Sequence, residues 1–97
     1  MTNFDKVEKL NKAFIDLLIT NGIEVFAPMN FSTTINGYFY IEVAVSRKTN
    51  KKLSILDVVE LVNRHGLVLI YYDYKSVDVF GDESQIIVVK EVDKNNN

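Results

Sequence analysis

One histidine, no cysteine and a loose group of carboxylates are all that this sequence offers to chemistry. A zinc centre needs several His or Cys ligands, so His65 alone cannot anchor one. As a general base, His65 would need a nucleophile and a third group to orient its ring. Ser84 and Asp82 are the nearest candidates by type, yet no serine sits in a nucleophile-elbow sequence. His65 instead precedes Gly66 at the end of a helical pattern, where basic side chains serve a structural purpose. Asp73, Asp78, Asp82 and Glu83 lack the spacing of a calcium-binding loop and fit turns. The four glycines are isolated, so no phosphate-cradling loop exists. The expectation is a protein that is not an enzyme, with no cofactor and no metal.

The composition narrows the partners. Thirteen acidic against eleven basic residues give a net charge of −2, with the signs interspersed. A duplex-DNA binder would carry a strongly basic face, and a DNA mimic would carry many more carboxylates. At 97 residues and 47% apolar content there is one core and one domain, 1–97, with a polar tail at 93–97 that has nothing to bury. Absence of cysteine, of a signal-like apolar run and of a membrane-length stretch leads to the expectation of a soluble, cytoplasmic protein.

The elements that must position any site follow from periodicity. Val7, Leu10, Phe14, Leu17 and Leu18 recur at helical spacing, closed by Asn21-Gly22, which predicts a helix over 3–21. Ile23 to Phe26 reads as a strand interrupted at Pro28, hence at a sheet edge or bent. Asn36-Gly37 between two strand-like runs predicts a type I′ hairpin into Tyr38–Ser46. Ser54 and Asp57 form a capping-box pattern for a second helix over 55–64, with Leu53 placed to staple onto Val58. Residues 67–74 and 85–92 complete a second strand pair, turning at Gly81-Asp82.

The chain also reads as two copies. At an offset of 44 residues Gly22 falls on Gly66, Gly37 on Gly81, and Val43 and Val45 on Ile87 and Val89. The expected fold class is α+β: a two-layer αββαββ sandwich of two pseudo-repeated αββ units, about 3–46 and 54–92. Its antiparallel sheet carries both helices on one face. At the level of topology this resembles a ferredoxin-like plan, circularly permuted so that the first strand stands last. The resemblance carries no catalytic motif and implies no function.

If both helices cover one face of the sheet, alternation assigns the other. Glu24, Phe26, Tyr38, Tyr40 and Glu42 belong to it in the first unit; Val68, Ile70, Tyr72, Ile86, Val88 and Lys90 belong to it in the second. The second unit is thus apolar on both faces, and Val68, Ile70, Tyr72, Ile86 and Val88 form the candidate interface. A homodimer or a protein partner is the expected occupant. The alternative cover is the chain's own 28–36 segment, with Met29 and Phe31.

Residues 37–43, Gly-Tyr-Phe-Tyr-Ile-Glu-Val, resemble the signature strand of RNA-recognition motifs, in which outward aromatics stack on bases. The resemblance spans seven residues and implies base stacking on Tyr38 and Tyr40, with Arg47, Lys48, Lys51 and Lys52 near phosphates. Asn36 stands where that signature has a basic residue, and Phe39 where it has a small one. The leading expectation is therefore a non-enzymatic protein-interaction module. It would be a homodimeric accessory or inhibitor protein of the kind phages and mobile elements carry; single-stranded nucleic-acid binding is the alternative.

Overall fold

A computed structural model describes residues 3–46, 51–77 and 82–92. Helix α1 (Asn3–Thr20) is followed by strands β1 (Val25–Ile35) and β2 (Tyr38–Val45). Helix α2 (Ile55–Arg64) then leads into β3 (Leu67–Val77) and β4 (Asp82–Glu91). The four strands form one antiparallel sheet in the order β1-β2-β4-β3. The architecture is α+β.

Helix α1 forms because Val7, Leu10, Phe14 and Leu18 line one stripe, all essentially buried. It ends where Gly22 takes φ +80°, donating to the Ile19 carbonyl at 2.9 Å while Ile23 N–H returns to Leu18 at 3.0 Å. Those two bonds make a Schellman cap, with Ile23 and Leu18 both in the core. Helix α2 spans the expected residues, but its start differs from expectation. Ser54 is extended and its side chain makes no capping bond; only its carbonyl is engaged, by Val58 N–H at 3.2 Å. What anchors this end is burial: Leu53 and Val58 belong to the same apolar cluster.

The first hairpin follows its turn chemistry. Asn36 (φ 51°) and Gly37 (φ 83°) both take the positive φ of a type I′ turn, setting Ile35 opposite Tyr38. Pro28 does not interrupt β1, which runs through it. The strand tolerates the missing N–H because it is an edge strand. The irregularity appears in the register instead. Between Val25↔Val45 and Asn30↔Val43, β1 takes five residue steps against two on β2.

The core lies between the helices and one face of the sheet, where Phe39, Ile41, Val43, Val45, Ile87 and Val89 meet the α1 and α2 stripes. Among the described residues, the polar side chain of Gln85 is inside it. Gln85 is 0% exposed; its Oε1 accepts a hydrogen bond from the Tyr72 hydroxyl, whose oxygen in turn accepts from Leu53 N–H at 3.3 Å. Its Nε2 has no partner. Tyr72 therefore ties the approach to α2 onto the sheet. Residues 78–81, which include Gly81 of the expected turn, residues 47–50 of the expected basic loop, and the 93–97 segment lie outside the described residues.

A buried amide left with no partner costs more than one removed altogether. Tyr72→Phe should therefore destabilise the fold by about 1–3 kcal/mol, whereas the Tyr72→Phe/Gln85→Leu double variant should recover most of that loss. Urea denaturation of both variants beside wild type checks this.

Candidate functional site

The face of the sheet opposite the helices is built from the residues that alternate with the core. On β2 these are Tyr38, Tyr40, Glu42 and Ala44. On β4 they are Ser84, Ile86, Val88 and Lys90, with Tyr40 paired to Val88 and Glu42 to Ile86. On β3 a bulge changes the pattern. Leu69 pairs with Val89 and Tyr71 with Val88, so Ile70 is the extra residue. Ile70 (46% exposed) and Tyr71 (49%) are consequently both at the surface, and Tyr72 turns inward onto the core.

This corrects the expectation for Tyr72. Strict alternation from Leu67 and Leu69 would also have put Asp73 against the core. A buried unpaired carboxylate is far costlier than one bulge, so the register slips and Asp73 emerges opposite Ile86. Asp73 was the signal in the sequence that could have revealed both the bulge and the missed surface residue Tyr71.

The other interface candidates divide. Val68 and Val88 are half-buried and Ile70 exposed, but Ile86 is only 6% exposed, as are its neighbours Ala44 (7%) and Ser84 (2%). Ala44 is the β2 residue alongside which β1 carries its surplus residues. Among the described side chains, the accessible apolar surface of this face is thus at the end holding Tyr38, Tyr40, Val68, Ile70, Tyr71 and Val88. Tyr38, Tyr40, Ile70 and Val88 line an open concavity of ≈ 210 Å³. Residues predicted for two separate sites, tyrosines from the first unit and aliphatics from the second, are brought together because β2 and β4 are neighbours.

Lys51 and Lys52 are not brought there. Lys51 Nζ lies against Gly22 at the C-terminus of α1, where the helix dipole favours a cation. Lys52 Nζ sits 4.5 Å from the centroid of the Tyr74 ring, on the strand position that pairs with buried Gln85. Arg47 and Lys48 fall outside the described residues. His65 Nδ1 donates to the Leu61 carbonyl at 2.9 Å, closing the last turn of α2. Among the described residues no three His, Asp or Glu side chains converge as metal ligands. No described helix is long and apolar enough to cross a membrane. Ile19 on α1 and Ile55 and Leu56 in the first turn of α2 are further exposed aliphatics, Leu56 being one the sequence pattern did not flag.

The electrostatics of the open face are set by two tyrosine–carboxylate pairs at i, i+2. Tyr40 OH donates to Glu42 Oε1 at 2.7 Å, and Tyr71 OH donates to Asp73 Oδ2 at 2.5 Å. Burial and then the Glu42 bond push the Tyr40 hydroxyl up to about 12. The Asp73 bond is the chief reason that Tyr71 is also raised, and the same bond holds Asp73 below the usual carboxylate range. Each aromatic edge thus presents an accepted proton and an adjacent negative charge. A phosphate backbone lying on this face would meet Glu42 and Asp73.

No protein-family model, curated protein or solved structure matches this chain.

Because the folded state holds the Tyr40 proton more tightly than an unfolded chain does, the associated stability is complete below pH ~10 and is lost as pH rises toward about 12. Glu42→Gln should lower the Tyr40 value while leaving it above the ordinary one, since burial is the larger cause. Alkaline titration of tyrosinate absorbance, with Tyr40→Phe as the subtraction reference, measures both.

Proposed function

We propose that this chain is a non-enzymatic protein-interaction module, homodimeric and cytoplasmic, that works through the apolar end of its open sheet face. One observation carries the reading. Tyr38, Ile70 and Tyr71, at 41%, 46% and 49% exposed, converge with half-buried Tyr40, Val68 and Val88 on one rigid patch of strand backbone. Tyrosines on a fixed backbone suit a contact surface, because they bury large area while losing few rotamers. A contiguous patch of this kind marks an interaction site more often than isolated exposed aliphatics do.

Behind that surface we read a two-layer sandwich of two αββ units related by a pseudo-twofold axis. Glu42 and Ile86, equivalent under the 44-residue offset, pair directly with each other in the β2–β4 ladder. An axis through that pair would exchange the halves, and the equivalent Gly22 and Gly66 share φ values of 80° and 74°. The strand order β1-β2-β4-β3 is also the one required by the permuted ferredoxin-like plan. Nucleic-acid binding through Tyr38 and Tyr40 draws less support, because Lys51 lies beside Gly22 at the end of α1, Lys52 sits over Tyr74, and Glu42 and Asp73 bond to tyrosines of the face.

The test is light scattering during gel filtration over a range of concentrations. Wild type should run at twice the 11.1 kDa chain mass. Ile70→Glu, at an exposed position, should stay folded by circular dichroism and weaken the dimer at least about tenfold, roughly 1.4 kcal/mol. A wild-type monomer at every concentration, or an Ile70→Glu variant that dimerises as well as wild type, would overturn the reading.

A further inference from the structure

Two Asn-Gly pairs stand in this chain, Asn21-Gly22 and Asn36-Gly37. In such a pair the glycine nitrogen, unhindered by a side chain, can attack the carbonyl of the asparagine side chain. The structure treats the two pairs differently. The Asn21 amide donates to the Leu17 carbonyl at 2.8 Å, and Gly22 N–H donates to the Ile19 carbonyl at 2.9 Å. Both reacting groups are thus held at the end of α1, and a Cβ at Gly22 would stand 3.3 Å from Lys51 Nζ. Asn36 and Gly37 are both exposed. Among the described residues no partner holds the Asn36 amide, and Gly37 N–H is unbonded because the closing bond of such a turn comes from the residue that follows. Nothing lies within 4 Å of where a Gly37 Cβ would stand, so the turn has room to bring the two groups together.

We propose that Asn36, and not Asn21, is a site of spontaneous modification by water and, resting on the dimer reading above, that the modification weakens self-association. The Gly37 nitrogen gives up its proton and bonds to Asn36 Cγ. Ammonia leaves with the side-chain nitrogen, and a five-membered imide closes. Water then opens the ring at one of its two carbonyls. Opening at the former side-chain carbonyl gives aspartate with the main chain unchanged. Opening at the main-chain carbonyl gives isoaspartate, whose main chain runs through the side chain and is one methylene longer. In both cases amide and water become carboxylate and ammonia, with no oxidation.

The two products differ in what they do to the hairpin. Asp-Gly is itself a favoured type I′ pair, so aspartate keeps the turn. Isoaspartate does not. A two-residue turn sets Ile35 opposite Tyr38, and hairpin register is fixed by turn type and length. Tyr38, 41% exposed, opens β2 and belongs to the apolar patch. Lengthening the chain beside it therefore displaces one border of the contact surface.

Incubation in mildly alkaline buffer, followed by peptide mapping in a mass spectrometer, tests the site. In the folded protein Asn36 should lose its amide at least about tenfold faster than Asn21, a difference that disappears in the urea-unfolded chain. Isoaspartate at position 36, identified by electron-transfer fragmentation, should be enriched at least about tenfold in monomer over dimer fractions. Asn36→Asp should dimerise as wild type does, and Asn36→Gly, which keeps a favoured Gly-Gly turn, should not age. Equal rates at Asn36 and Asn21 in the folded protein would overturn the site. Isoaspartate spread evenly between monomer and dimer, or an Asn36→Gly dimer that weakens as wild type does, would overturn its effect on association. A wild type that is monomeric throughout would overturn the dimer reading and that effect with it, while faster loss at Asn36 would still establish the site.

Discussion

The β2–β4 ladder is the constraint on which the rest of this structure depends. From Phe39↔Val89 to Val45↔Glu83 it holds the two hairpins in one register. A slip of one residue would turn Ile41, Val43, Ile87 and Val89 outward and Glu42 and Lys90 inward. The apolar stripes of both helices close on the face this register presents, so core packing enforces the pairing and the pairing defines the core. The same ladder decides what the opposite face contains. Tyr40 meets Val88 and Glu42 meets Ile86 only because these central strands are neighbours.

The helices, the Asn36-Gly37 hairpin and the alternation of β2 were legible because each has a local cause. Spacing, a positive-φ turn and period-2 burial are all written in adjacent residues. Three features were not. The Ser54 side chain makes no cap because Leu53 and Tyr72 already fix that end of the helix, a tertiary arrangement that the Ser-x-x-Asp pattern cannot report. Pro28 stays within a continuous strand because its edge position and the slipped register absorb the missing donor. The bulge at Ile70 was hidden by a run of three large residues, Ile70-Tyr71-Tyr72, in which alternation carries no information. Only the charge on Asp73 reports which face each belongs to.

That bulge also accounts for the candidate site. Without it Tyr71 would face the core and Tyr72 the surface. Tyr72 would then not engage Gln85 and Leu53, and the open face would lack its most exposed aromatic. With it, one edge strand serves both faces of the sheet: Tyr72 secures the loop entering α2, and Ile70 and Tyr71 extend the patch begun by Tyr38 and Tyr40. The paired carboxylates Glu42 and Asp73 hold the tyrosine hydroxyls in place, so the aromatic edges are oriented before any partner arrives. Such preorganisation lowers the entropic cost of association.

Nitration of tyrosines at increasing protein concentration, mapped residue by residue by mass spectrometry, tests most directly that this face is where a second chain sits. Tyr38 and Tyr71 are among the most exposed tyrosines of the isolated chain. They should become protected over the same concentration range in which the mass doubles, while half-buried Tyr74, on the other face, keeps its reactivity unchanged. Equal modification of Tyr38 and Tyr71 in the monomer and in the associated form would contradict the account, since the patch would then remain open when the chains are together.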